Sequence, residues 1–131
     1  MSKITEFNTA SNKDIDREHE VQLGLLRALC TAAGENRDAD TVGEILDRLI
    51  SYSEAHFMSE ELLMRLKSYD DYEDHVEDHL QMMDTLRGIA ASHAGGDAAL
   101  IAGQATELLG FIGHHIATRD RRFSDYLRSG Q

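Results

Sequence analysis

Residues 40–66 read DTVGEILDRLISYSEAHFMSEELLMRL, and the spacing inside that stretch decides the fold. Val42, Ile45, Leu46, Leu49, Ser53, His56, Glu60, Leu63 and Met64 recur at intervals of three and four, the period of one helical face turned to a core. Asp40 or Thr41 can cap the start, and the helix should run to about Leu66. Midway, the inward face changes from aliphatic to Ser53, His56 and Glu60. Polar side chains on a core-facing stripe cost free energy unless a partner satisfies them, so this face needs partners from elsewhere in the chain.

The same period recurs on both sides. Upstream, Ile15, His19, Gln22, Leu23, Leu26, Leu29, Cys30 and Ala33 form a first helix ending near Gly34 to Asn36. Ser11, Asn12 or Asp14 can cap its start, which leaves about 1–14 as an extended arm. Downstream, a break at Lys67 to Asp71 precedes a third helix whose inner face carries Tyr72, His75, His79, Met82, Met83, Leu86 and Ile89, closing at Gly95 and Gly96. Asp97 opens a fourth, with Leu100, Ile101, Leu108, Ile112, His115 and Ile116 in phase. Asp120, Phe123 and Leu127 belong to a bent or shorter terminal segment. Four amphipathic helices with short connections predict an all-α, up-down-up-down four-helix bundle with an N-terminal arm, one domain over 1–131.

The bulk composition agrees. The chain has 131 residues and no proline, enough for one core and unsuited to a sheet punctuated by Pro turns. Its net charge of -11 repels phosphate backbones and anionic lipid, which excludes nucleic acid and membrane surfaces as expected partners. Cys30 is the single cysteine and cannot close an internal disulfide. Together with the absence of a signal-like apolar run in Met1 to Ser11, this leads us to expect a cytoplasmic protein.

His56 and Glu60 lie four apart, as do His75 and His79, so each pair sits one turn apart and about 40° round its helix, able to converge on one point. Taken alone, such pairs are usually solvated surface residues. Here they share faces with Leu49, Leu63, Met82 and Leu86, and His19 and His115 are in phase with their own stripes, so all four helices bring a ligand type to the interior.

These residues resemble the hemerythrin family, and specifically its bacterial single-domain members. The resemblance is carried by Ile15-Asp16-Arg17-Glu18-His19, by His56-Phe57-Met58-Ser59-Glu60-Glu61 with Met64 and Tyr69 after it, by His75 and His79, and by His115, Ile116 and Asp120. It implies that His75, His79 and His115 bind one iron, that His19 and His56 bind another, and that Glu60 and Asp120 bridge them. It further implies two iron ions, Fe2+ or Fe3+, with an oxo or hydroxo bridge, and reversible binding of dioxygen for storage, delivery or sensing. The second iron would keep a free position. Asp120 falls five residues after His115, half a turn out of phase in an α-helix, so the fourth helix should bend or bulge there.

The resemblance places Gln22, Phe57, Phe111 and Ile116 around the oxygen pocket. Gln22 stands where the family usually has Leu and Phe111 where it usually has Trp. Gln22 either faces the open iron position, where its amide could donate to dioxygen or hold a water, or turns aside to bond a helix carbonyl or a Glu. Two other functions fit the same residues: an enzyme consuming peroxide, dioxygen or nitric oxide, and a module in which a metal, zinc included, only staples the bundle. A redox or signalling protein partner is compatible with any of them.

Several residues have plainer readings. His114, about 100° from His115, is expected to be exposed. His93 ends the third helix, where an imidazolium complements the helix dipole. Asp70, Asp71, Glu73, Asp74, Glu77 and Asp78 read as a solvated face. Met58, Met64, Met82 and Met83 read as core filling, and Cys30 as a small buried hydrophobe. Nothing supports nucleophilic catalysis.

Overall fold

A computed structural model describes the backbone of residues 2–129 and the side chains of residues 16–129. Helices α1 (Ser2–Gly34), α2 (Ala39–Leu66), α3 (Tyr72–Ala94) and α4 (Ala98–His115) are followed by a π-helical turn, Ile116–Asp120, and a short α5 (Arg121–Arg128). Helix α1 packs on α2 and α4, and α3 packs on the same two, giving the square arrangement of an up-down-up-down bundle. No described helix is long and apolar enough to cross a membrane.

The connections follow local chemistry. Asp38 caps α2, its carboxylate accepting from Thr41 N at 2.8 Å. Asp40 and Thr41, expected as caps, instead lie inside the first turn, because a capping carboxylate reaches the amide three residues ahead. Asp97 caps α4 as expected, accepting from Leu100 N at 3.0 Å. Gly96 closes α3 with φ +76, a left-handed conformation that a side chain would strain.

The extended arm is not observed, since the backbone is helical from Ser2. No proline or glycine precedes Gly24 to interrupt it, and the cap-type residues Ser11, Asn12 and Asp14 can equally occupy helix interior at modest cost. Met58, read as core filling, and Leu100, read as a stripe member, are both exposed. Met58 is 68% exposed because it sits about 200° round from His56. Leu100, 48% exposed, lies on the outer edge of the first turn of α4.

Register explains where the polar layer falls. His19 stands against His56, ring centroids 5.0 Å apart, and Gln22 Nε2 donates to Ser53 Oγ at 2.9 Å. Continuing that antiparallel register brings Leu26 level with Leu49 and Leu29 level with Leu46. These four join Leu86, Ile89, Ile101 and Leu108 in a large apolar core at one end. At the other end Leu63, Met64, Tyr69 and Phe123 form a smaller one. The histidines and carboxylates lie between, sealed from water on both sides.

Candidate metal centre

His19, His56, Glu60, His75, His79, His115 and Asp120 are all buried, none more than 6% exposed. The structure brings all seven together. Glu60 divides its two oxygens: Oε1 lies 3.3 Å from His75 Nε2 and 3.1 Å from His79 Nε2, while Oε2 lies 3.4 Å from His19 Nε2 and 3.7 Å from His56 Nε2. Asp120 does the same, with Oδ1 at 2.6 Å from His75 Nε2 and 3.2 Å from His115 Nε2, and Oδ2 at 3.0 Å from His19 Nε2. Two groups of imidazoles thus share two carboxylates.

The π-turn makes this possible. In a regular α-helix five residues overshoot a full turn by about 140°, which would carry Asp120 away from the face of His115. Widening to the i to i+5 pattern over Ile116–Asp120 returns the carboxylate to the interior, as the spacing predicts.

Burial works against a charged imidazole at His19, but Asp120 and Glu60 outweigh it and push its pKa up to about 10. The same balance raises His75 to about 9, and lifts His79 through Glu60 and Glu61. Burial opposes ionisation of Glu60 too, yet the facing imidazoles hold it well below the usual carboxylate range. Burial and the charge on Glu60 both oppose ionisation of Asp120, and the imidazoles again prevail.

Even so, protons leave the cluster unsatisfied. His19 Nε2, His79 Nε2, His115 Nε2 and both Glu60 oxygens are buried without a correctly directed hydrogen bond. Nitrogens and carboxylate oxygens that converge with so few well-directed hydrogen bonds suit a cation once the imidazoles give up their protons. Donor atoms of Glu60, His75, His79, His115 and Asp120 lie within 4.8 Å of one another, as do those of His19, His56 and Glu60, so both groups fit a metal.

The far sides of three rings are also held. His56 Nδ1 donates to Glu18 at 2.6 Å, His79 Nδ1 to Glu61 at 2.8 Å, and His115 Nδ1 to Asp78 at 2.8 Å. Each bond fixes the ring's tautomer and leaves Nε2 free for the interior. Asp78 is held in turn by Arg119 Nε at 2.8 Å, and Arg119 also reaches Asp71 at 3.2 Å. This set is not foreseen from the sequence, where Asp78 reads as part of a solvated face. A signal existed, because Glu18, Glu61 and Asp78 each adjoin a cluster residue of their own helix, His19, Glu60 and His79. One residue is about 100° of rotation, enough to aim each acid at the next helix of the bundle. Asp78→Asn removes the charge behind His115 and is expected to lower metal affinity about 10- to 100-fold, measured by competition with a chelator. An unchanged affinity would show that an amide oxygen at position 78 holds the ring as well as the carboxylate does.

The residues expected around an oxygen pocket separate. Phe57 is buried and stacks on His79, centroids 4.1 Å apart and 13° from parallel. Ile116 is half-buried beside a cavity that reaches His19 and Asp120. Phe111 instead lines the cleft outside His115, so it does not border that cavity. Gln22 is buried, and its amide is engaged by Ser53, a partner not foreseen. Ser53→Ala strands the Gln22 amide and is expected to destabilise the fold by about 1–3 kcal/mol. Adding Gln22→Leu should recover most of that loss in urea denaturation; a double variant as unstable as the sum of the singles would show that the two side chains do not act as a pair.

His114 is exposed as expected. His93 lies in the last turn of α3, as expected, and also reaches a second helix. Its Nε2 donates to the Ala39 carbonyl at 2.9 Å, fastening the end of α3 to the start of α2.

Comparison with known proteins agrees with this geometry. The family model described as the hemerythrin HHE cation binding domain matches residues 11–127. The chain belongs to the hemerythrin HHE family. Among individual hemerythrin relatives, it is 32% identical to a myohemerythrin of Theromyzon tessulatum over 59% of this chain and 58% of that protein. It is 29% identical to a bacteriohemerythrin of Ralstonia nicotianae over 86% of this chain and 78% of the relative. A bacteriohemerythrin of Methylococcus capsulatus is 27% identical over 86% of this chain and 85% of its own. No solved structure gives a significant match. As a hemerythrin-like domain the chain is a metal-binding helical bundle, and its buried cluster is able to hold metal.

Proposed function

We propose that the protein holds two iron ions, bridged by Glu60, Asp120 and a solvent-derived oxygen, and uses them to bind dioxygen reversibly. His75, His79 and His115 hold one, with Oε1 of Glu60 and Oδ1 of Asp120. His19 and His56 hold the other, with Oε2 and Oδ2. The observation that carries this reading is the division of each carboxylate between the two imidazole groups, at 3.1–3.4 Å for the closest approaches of Glu60 and 2.6–3.2 Å for Asp120.

When bound, an iron pair supplies two reversible one-electron changes, which dioxygen binding and release require. The side chains supply the rest. Phe57 shields one face of His79. Burial between two apolar cores keeps bulk water out and restricts entry to very small molecules. Five neutral imidazoles against two carboxylates stabilise high-valent iron less than a carboxylate-rich set does, which favours binding over oxygenase chemistry. A reducing cytoplasm, with a small or protein reductant as partner, suits a centre that works in its reduced form.

One observation favours a second reading. Gln22 and Ser53 place a polar pair one turn from His19 and His56, the side with fewer protein donors. Such a pair can hydrate or protonate a ligand there and turn a carrier into a consumer of peroxide, dioxygen or nitric oxide. The deciding experiment begins with metal analysis of protein purified without added metal. Anaerobic reduction, exposure to air and evacuation then follow in the visible spectrum. Two irons per chain and a charge-transfer band that disappears under vacuum support the carrier; one zinc and no iron would end both oxygen readings. Rapid oxidation that Gln22→Leu slows would favour the enzyme.

A further inference from the structure

A centre buried on every side needs a way in. Two cavities meet the cluster only from behind a ring. The cleft of about 530 Å³ at Phe111 and Arg119 ends on His115, and the groove of about 330 Å³ at Met58 and Leu80 ends on His79. Asp78 and Glu61 line those floors and occupy the Nδ1 atoms, so each opening faces the side of an imidazole turned away from the interior.

A third cavity, of about 290 Å³, differs in its floor. It lies between α1 and the π-turn, and it reaches His19 and Asp120 together. These residues come from different helices and approach to 3.0 Å through the two atoms that face the cluster, His19 Nε2 and Asp120 Oδ2. This opening therefore meets the cluster beside two donor residues of different helices, with His19 Nε2 itself buried. It does so in the group with two imidazoles rather than three, where a metal has most room for an added ligand.

The walls and rim give the opening a chemical preference. Ile116 and Ala117 form an apolar wall, while Arg121 and Arg128 stand at the mouth with Asp16 as the opposing acid. Arg121 makes no ion pair among the described residues, and Arg128 pairs with Asp125. Asp16 and Asp125 balance the two arginines, so on a chain of net charge -11 this mouth is a locally neutral patch in a negative surface. Small anions are repelled by most of the surface and less so here.

We propose that this cavity is the route by which an added ligand reaches the His19–His56 metal, and that Arg121 and Arg128 keep its mouth from repelling small inorganic anions as the rest of the surface does. The inference rests on the dinuclear reading above. It assigns the arginines to the rate of arrival and leaves the ligand's final contacts to the metal.

The test uses the oxidised, iron-loaded full chain with azide as probe, followed by stopped-flow in the visible region. Arg121→Glu with Arg128→Glu is expected to slow azide association about tenfold at low salt, an effect that vanishes near 0.5 M salt. Ala117→Phe, at an exposed position, is expected to slow association and dissociation together and leave the dissociation constant unchanged. Dioxygen association with the reduced protein should be slowed by Ala117→Phe and untouched by the charge reversal. Azide that binds with wild-type rates in both variants would overturn the route while leaving the iron pair intact. Protein that carries iron but takes up no azide would overturn the route and the open position together. Should Ala117→Phe fail to fold, the salt dependence of the exposed arginine variant decides alone.

Discussion

Stripped of metal, the protein is expected to lose stability as the pH rises from about 6.5 through 10, while the metal-loaded protein does not. His19 is raised from 6.5 to about 10 and His75 to about 9 by the carboxylates they face. A group whose pKa is raised by folding stabilises the fold fully below its unfolded value, and that contribution is lost as pH climbs through the folded one. A pKa that folding moves by one pH unit changes the folding equilibrium about tenfold. Glu60 and Asp120 act in the opposite sense: held below their ordinary 4.5 and 3.8, they stabilise the fold above those values and cease to do so as acid protonates them. The metal-free protein should therefore be most stable between about pH 4.5 and 6.5. Metal requires the deprotonated imidazoles, so binding expels the protons and strengthens over the same interval in which the metal-free fold weakens. Urea denaturation of chelated and loaded samples across that range measures both. A metal-free stability that stays flat from 6.5 to 10 would mean the cluster is not protonated as its geometry requires.

The features legible in the sequence share one physical property: each is a periodicity or a violation of one. The helices follow from apolar recurrence, and the seven cluster residues stand out because ionisable groups occupy stripes that should be aliphatic. The π-turn follows from a spacing of five where three or four was needed. What stayed hidden depended on which side chain of one helix meets which of another. Glu18, Glu61 and Asp78 are partly exposed, with side chains 34%, 24% and 19% accessible, and in sequence they look like any solvated acid. Ser53 was legible as a stripe member but not as the partner of Gln22, because that bond depends on the antiparallel register of α1 and α2. The helical course of residues 2–14 was concealed for another reason. Ser, Asn and Asp favour caps but do not compel them, and helix α1 simply runs through.

Phe123→Ala should be among the most damaging single changes outside the cluster, costing about 3–5 kcal/mol of stability. The ring is fully buried, packs 4.8 Å from Tyr69 and 6.3 Å from the ring of His75, and anchors the smaller apolar core with Leu63 and Met64. Its position adds a second effect. Phe123 lies three residues after Asp120, so its anchorage holds α5 against the bundle and with it the end of the π-turn that turns Asp120 inward. Truncation should then weaken metal binding as well as folding, because a π-turn without that anchor can relax to α-helical spacing and rotate the carboxylate away from His19 and His75. Leu127→Ala, half-buried in the same small core but further from the turn, serves as the comparison. It should lower the urea midpoint less and leave metal affinity nearly unchanged. If both variants lose stability but bind metal as tightly as the parent, the π-turn is fixed by the cluster itself and α5 only covers it.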